Sequence, residues 1–282
     1  MFGNGVQSKK DQIEDYEAFR LFLENACGIL LGDNKHYLVQ SRLKKLLKEK
    51  EILSLRALIG EIESQPFSTL KQATIDAMTT NETLWFRDRH PFDHLISTLF
   101  KERAKASNND IRIWSAACSY GQEPYSLSMC ADEARKSGQL PIGSNVRIVA
   151  THISKEALDQ ARLGHYESLA LGRGLSPERL KFNFSEMDNG EWELKAEIKR
   201  RVEFRTLNLQ DSYSLLGKFD IIFCRNVLIY FSSDFKADIL TRMHACIKPG
   251  GYLFLGGSES LHGLTDIYEM VQTHPGLVYR AR

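Results

Sequence analysis

From Ile111 onward the chain alternates short apolar runs with longer amphipathic stretches, and this alternation most narrows the folds open to it. IRIW, VRIVA, VEFRTL, FDIIFC and GYLFLGG have strand length and are rich in branched and aromatic residues. Helical spacing falls between several of them, near Glu123 to Lys136, Lys155 to Leu163 and Ser233 to Cys246. Alternating β and α units predict a mostly parallel, doubly wound sheet with helices on both faces and ligands bound beyond the carboxyl ends of the strands. The stretch from Gly164 to Arg201 breaks the alternation. Its turn signals, GRGLSP and DNGEW, and its short apolar pieces around Phe182, Phe184, Trp192, Leu194 and Ile198 predict a small antiparallel insertion at a strand edge.

Residues 1–80 read differently, with helical spacing and no strand: Tyr16, Phe19 and Leu23, then Leu38, Val39, Leu43, Leu46 and Leu47, then Leu55, Leu58, Ile59 and Ile62. Asp33 and Asn34 are placed to cap the second of these helices and Ser54 the third. The expected organisation is a helical domain over 1–80, a bridging segment and helix over 81–110, and an α/β domain over 111–282 with an insertion at about 164–201.

Acidic and basic residues nearly cancel, leaving a formal net charge of +1, so no global field draws the chain to nucleic acid or anionic lipid. Cys27, Cys118, Cys130, Cys224 and Cys246 are odd in number and never form a CxxC pair, which argues against a disulfide framework or a zinc site and fits a reducing cytoplasm. The N-terminus lacks a signal-peptide apolar core, and no stretch approaches the roughly 20 apolar residues of a membrane span.

Several motifs carry chemistry. After IRIW comes SAACSYGQEPYS, a strand, a small-residue turn and a helix start, where Ser115, Ala116, Ala117 and Gly121 let a ligand approach the backbone. Glu123 at the helix start has two readings, ligand contact or complement to the helix dipole. The next strand ends at ATHIS, where nucleoside-binding sheets place an acid against ribose hydroxyls; His152 either takes one such hydrogen bond or simply ends the strand. The apolar strand FDIIF runs out into CRNVLIYF, and packing alone does not account for Arg225, Asn226 and Tyr230 just past its end. Upstream of the sheet, TTNETLWFRDRHPF crowds Asn81, Thr83, Arg87, Asp88, Arg89 and His90 around Trp85 and Phe86, which reads either as a segment that folds over a cleft or as an interdomain linker with capping residues. On the second helix Lys44, Lys45 and Lys48, with Arg42 at the border, project opposite the apolar stripe, as a solvated face or a surface for an acidic partner.

Taken in order, TTNETLWFR, WSAACSYGQEPYS, the NL of TLNL, CRNVLIYF and KPGGYLFLGGSESL resemble the CheR family, the chemotaxis-receptor glutamate methyltransferases, over nearly the whole chain. The resemblance implies an α/β fold: a class I, Rossmann-like methyltransferase domain with an inserted antiparallel β-subdomain, joined to an N-terminal all-α domain. It implies S-adenosylmethionine as donor and S-adenosylhomocysteine as product. Carried over by motif, Asn81, Thr83 and Arg87 reach the cofactor from the bridging segment, Glu123 from the first turn, Asn208 and Leu209 from the third strand, and Arg225 with Asn226 from the fourth. Arg87 and Tyr230 flank the transferred methyl as catalytic residues. His152 departs from the family's ATDI pattern at the ribose contact. The implied partners are the cytoplasmic helical bundles of methyl-accepting receptors, met by Arg42, Lys44, Lys45 and Lys48; some members also hold a receptor C-terminal tail peptide on the inserted subdomain, and Gly164 to Arg201 leave that open here.

The implied reaction is a direct displacement by a glutamate carboxylate, which at a reference pKa of about 4.3 is already ionised at neutral pH. It needs placement rather than a general base. Methyl transfer to RNA or to a small molecule is the rival enzymatic reading, weakened by the near-neutral chain and the lack of a basic, aromatic-interleaved surface. A silent cofactor-binding module is the rival from another class.

Overall fold

The computed structural model describes residues 9–65, 68–261 and 263–282. These fall into two compact units, one running to Thr80 and including Tyr230–Ser232, the other made of Asn81–Ile229 and Ser233–Arg282.

The first unit is helical: α1 Lys9–Cys27, α2 His36–Glu49, α3 Leu55–Ser64 and α4 Leu70–Met78. Its core follows the helical period, with Tyr16, Phe19, Leu23 and Cys27 of α1, Val39 and Leu43 of α2, and Leu58 and Ile62 of α3 all buried. Ser54 caps α3 through the amide of Ala57 at 3.1 Å, as expected. The cap expected for α2 is absent: the helix starts at His36 after Lys35, with no side-chain cap. Asp33 pairs instead with Arg20 at 2.7 Å, and the first turn is held by the His36 ring stacked on Tyr16 with centroids 3.6 Å apart. Tertiary packing replaces the cap. α4 buries Leu70, Thr74, Ile75 and Met78 at helical spacing, a pattern that the sequence reading did not pick out.

The second unit opens with an irregular segment, then α5 His90–His94, a π-turn over Leu95–Leu99 and α6 Phe100–Ala106. The sheet domain follows in the order β1 Asp110–Ala116, α7 Gln122–Lys136, β2 Asn145–His152 and α8 Lys155–Leu163. The insertion comes next: β3 His165–Tyr166, α9 Ser168–Leu171, α10 Pro177–Asn183, β4 Phe184–Glu186, β5 Trp192–Leu194 and α11 Ala196–Lys199. The main sheet resumes with β6 Val202–Thr206 and β7 Phe219–Cys224, then α12 Ser233–Cys246, β8 Ile247–Leu255, β9 Tyr268–Gln272 and β10 Leu277–Ala281.

The main sheet has the order β6-β2-β1-β7-β8-β10-β9. Its first four pairings are parallel and its last two antiparallel. The five apolar runs are its parallel strands, and every residue of β7 is buried, as a strand covered on both faces must be. The β9–β10 hairpin was not expected; β9 buries only Tyr268, too little for a strand signature. Between 164 and 201 lies the expected antiparallel insertion, a three-stranded sheet of order β3-β5-β4. DNGEW is its hairpin turn, but the Ser-Pro of GRGLSP begins α10, Ser176 accepting from the Arg179 amide. Phe182 is 62% exposed and lies outside the core of the insertion.

Candidate functional site

Strand register brings the motifs to one edge. Ala116 is paired with Thr151 of β2 on one side and Cys224 of β7 on the other, and His152 is paired with Thr206 of β6. His152 at the end of β2 and the residues just beyond the other strands (Ala117, Asn208 and Arg225) therefore emerge together at the carboxyl edge. The chain steps from β1 to β2 on one side and returns to β7 on the other, so the edge straddles the topological switch where α/β sheets bind ligands.

The first turn is shaped for close approach. Ala117 and Ser119 hold left-handed φ values of 58° and 52°, and Gly121 follows at 91°. A Cβ on Gly121 would lie 3.1 Å from both Ala161 and the Tyr125 ring. Non-glycine residues in this region each cost on the order of 1 kcal/mol, strain typical of functional turns. Glu123, one residue into α7, is mostly buried, with its side chain 14% exposed. It accepts from Ser115 Oγ at 2.7 Å and faces Arg225 Nη1 at 3.5 Å. Burial pushes its carboxyl above the usual range, against the opposing pull of Arg225. Dipole complement and contact with Arg225 are thus both present.

Arg225, only 2% exposed, turns back over the edge to hold the segment upstream of the sheet. It donates to the Asp88 carboxylate at 2.5 Å and to the Arg87 carbonyl at 3.0 Å. Phe86, Asp88 and Arg89 adopt left-handed φ angles of 48°, 65° and 51°, so this stretch is a sharply folded loop. Trp85, 1% exposed, anchors it in the insertion, edge-on to Tyr166 at 5.0 Å and to Phe184 at 5.4 Å. The Trp85 amide donates to the Arg173 carbonyl at 3.1 Å, and a Cβ on Gly174 would lie 2.2 Å from the Trp85 carbonyl oxygen. Arg179 of α10, paired with Glu133 at 2.7 Å, lies 3.6 Å over the Phe86 ring. Aromatic contacts continue inward from Phe86 to Phe92 and from Phe92 to Phe223. The aromatics that look out of place in a linker are core residues.

The remaining residues singled out in the sequence divide by location. Asn81 Oδ1 meets His152 Nε2 at 2.8 Å, and the Asn81 carbonyl accepts from Ser119 Oγ at 2.8 Å. His152 thus closes its strand and also faces the bridging segment. Burial lowers its pKa to about 4, so the ring is neutral at physiological pH. Asn208 turns its side-chain oxygen onto the Gln210 amide at 3.1 Å, and the buried Leu209 offers its carbonyl to Tyr213 and Arg242, each at 2.7 Å. Thr83 and Arg87 are half-buried in the bridging segment. Tyr230 belongs to the helical unit, where its carbonyl accepts from the Leu30 amide at 2.9 Å. In that unit Lys44, Lys45 and Lys48 are exposed on α2, and the half-buried Arg42 donates to the Met78 carbonyl at 2.5 Å and to Thr80 Oγ1 at 2.8 Å.

Among the described residues, three buried polar atoms along the strand edge lack protein partners: His152 Nδ1, Arg225 Nε and Asn226 Oδ1. Orphaned buried polar atoms are uncommon and call for a ligand or water. Two acceptors and one donor fit the mixed hydroxyl, amine and carboxylate groups of S-adenosylmethionine. Sequence reading passed over Glu259, whose carboxylate accepts the amides of Asn226, Leu228 and Gly256 at 2.8, 2.8 and 2.7 Å. The double glycine just before it was the available signal.

Residues 81–277 match the family described as CheR methyltransferase, SAM binding domain, and residues 14–79 match CheR methyltransferase, all-alpha domain. Chemotaxis protein methyltransferase 1 of Pseudomonas aeruginosa is 55% identical over 269 residues, covering 95% of this chain and 98% of that protein. Chemotaxis protein methyltransferase 1 of Vibrio cholerae is 52% identical over 271 residues, covering 95% and 97%. The more distant chemotaxis protein methyltransferase of Salmonella typhimurium is 36% identical over 247 residues, covering 86% and 82%.

Proposed function

This chain belongs to the CheR methyltransferase family, and on that premise we propose that it methylates glutamate side chains in the cytoplasmic helical domains of chemotaxis receptors. Support comes above all from one arrangement: Arg225 ties the end of β7 to Glu123, to the Arg87 carbonyl and to the Asp88 carboxylate, beside three unpartnered buried polar atoms. S-adenosylmethionine, when bound, supplies an electrophilic methyl group on its sulfonium. A glutamate carboxylate of the receptor attacks that methyl in line, forming an ester C–O bond as the C–S bond breaks and S-adenosylhomocysteine leaves.

In this reading Asn81, Thr83, Arg87, Glu123, His152, Asn208, Leu209, Arg225 and Asn226 hold the cofactor, and Arg87 and Tyr230 orient the incoming carboxylate. His152, neutral and with one acceptor nitrogen unspent, takes one ribose hydroxyl where an acid would take two. Correct placement of the two reactants is the main catalytic demand, an effect worth up to roughly 7 to 11 kcal/mol. The nucleophile must not be held too tightly, because uniform stabilisation of the ground state gives no acceleration.

Docking to the acidic receptor bundle falls to Lys44, Lys45 and Lys48 on the exposed face of α2, in a cytoplasmic setting. In the insertion β3 and β4 are edge strands, suited to accept an extended receptor tail by strand addition. Removing the tail from a receptor fragment would then slow its methylation.

The test is transfer of radiolabelled methyl from S-adenosylmethionine to a purified receptor cytoplasmic fragment. Label released as methanol by mild alkali is the expected result, since methyl esters hydrolyse there. Alkali-stable label, or label on RNA alone, would overturn the reading, and cofactor binding without any product would point to a silent module.

A further inference from the structure

We infer that Glu259 is a positioning residue that holds the Asn226 carboxamide in place for the cofactor. Its own turn needs no carboxylate, being closed by the Glu259 amide on the Gly256 carbonyl at 2.9 Å. The carboxylate instead reaches across to the loop after β7, where Oε2 accepts from the Asn226 amide at 2.8 Å and Oε1 from the Leu228 amide at 2.8 Å. Oε2 also takes the Gly256 amide at 2.7 Å, so one ionised group joins the loops following two adjacent parallel strands. Charge-assisted bonds to backbone amides are among the stronger hydrogen bonds a protein makes. They fix Asn226 at a φ of 58°, a left-handed conformation that asparagine tolerates better than most residues bearing a side chain. Gly256 is required beside the clamp, because a Cβ there would lie 2.7 Å from Glu259 Oε2 and 2.9 Å from both Asn226 nitrogens. The Asn226 side-chain oxygen is buried and has no hydrogen-bond partner among the described residues.

The inference rests on reading the strand edge as the cofactor site, and two measurements separate the two ideas. Glu259→Gln replaces one acceptor oxygen with a donor, so hydrogen exchange at the Asn226, Leu228 and Gly256 amides is expected to accelerate in the ligand-free protein; unchanged exchange would overturn the clamp whatever the cofactor does. Calorimetric titration with S-adenosylhomocysteine is expected to show at least tenfold weaker binding for Glu259→Gln, and less than a threefold further loss when the same change is made in Asn226→Ala. Full, additive losses in both backgrounds would overturn action through Asn226. Wild-type protein that shows the expected exchange pattern but binds nothing would overturn the cofactor reading alone. Should Glu259→Gln fail to fold, Glu259→Asp, which keeps the carboxylate but shortens its reach to the Asn226 and Leu228 amides, is expected to give a similar loss of affinity, and wild-type affinity in that variant would overturn the proposal.

Discussion

Arg225 and Glu123, 102 residues apart in sequence, meet at 3.5 Å across the carboxyl edge of the sheet, and the same guanidinium continues to the Asp88 carboxylate. This pairing makes Arg225 a junction of β7, the start of α7 and the bridging segment. Its two acidic neighbours are unlike: Asp88 is 44% exposed, whereas Glu123 is held in a pocket that disfavours its charge.

Arg225→Ala strands the Glu123 charge with no neutralising partner. A loss of about 3 kcal/mol is expected, at the lower end for a broken buried pair because Glu123 can escape by taking up a proton. Urea denaturation checks this, and a midpoint equal to wild type would remove Arg225 from the junction.

Gly174→Ala forces a methyl group to within 2.2 Å of the Trp85 carbonyl at a backbone φ of 104°, which an alanine also resists. We expect stability to fall by about 1–3 kcal/mol. S-adenosylhomocysteine affinity should fall several-fold with it, since the insertion supports the bridging segment through Trp85. Unchanged affinity in calorimetry would show that the insertion and the site are independent.

His152 makes folding sensitive to mild acid. Its native pKa of about 4 lies below the ordinary value of 6.5, so the unfolded chain binds more protons between these limits. The stabilisation is whole above pH 6.5 and is lost as pH falls towards 4, amounting to about 3 kcal/mol at the lower limit. The difference between wild type and His152→Gln in chemical denaturation isolates this group, because Glu123, whose raised pKa acts in the opposite sense, is common to both. A difference independent of pH over that window would contradict a buried neutral imidazole.

Lys44→Glu, Lys45→Glu and Lys48→Glu combined reverse the exposed face of α2. The expected outcome is a raised KM for receptor fragment, a steeper loss at low ionic strength and unchanged cofactor affinity. Arg42→Ala should act differently, through stability, since its guanidinium closes the end of α4. Receptor kinetics indifferent to the three lysine changes would move docking to another surface.

Much of the architecture was legible because apolar period and turn chemistry are local. The helices over Lys155–Leu163 and Ser233–Cys246 fall at the limits that their spacing marks. The central parallel strands are legible because burial on both faces leaves continuous apolar runs, whereas β6, at the sheet edge and without a buried residue, shows alternation instead. Less was visible where tertiary contacts decide. α2 begins at His36, whose ring packs on Tyr16, a contact 20 residues away in sequence. The short helices of the insertion and the exposed strand β9 carry too few buried residues to mark themselves. At the site, Arg225 and Asn226 stand out because a buried strand ends in polar residues. The use to which they are put depends on their contacts with Glu123, Asp88 and Glu259, pairings that residue spacing does not reveal.

The most direct measurement is calorimetric titration of the purified protein with S-adenosylhomocysteine, repeated for Arg87→Ala and His152→Asp. One site per chain is expected in the wild type, with binding weakened in Arg87→Ala and tightened about tenfold in His152→Asp, whose carboxylate offers a charge-assisted bond to the ribose. Wild-type binding that neither substitution alters would contradict a cofactor site at the carboxyl edge of this sheet.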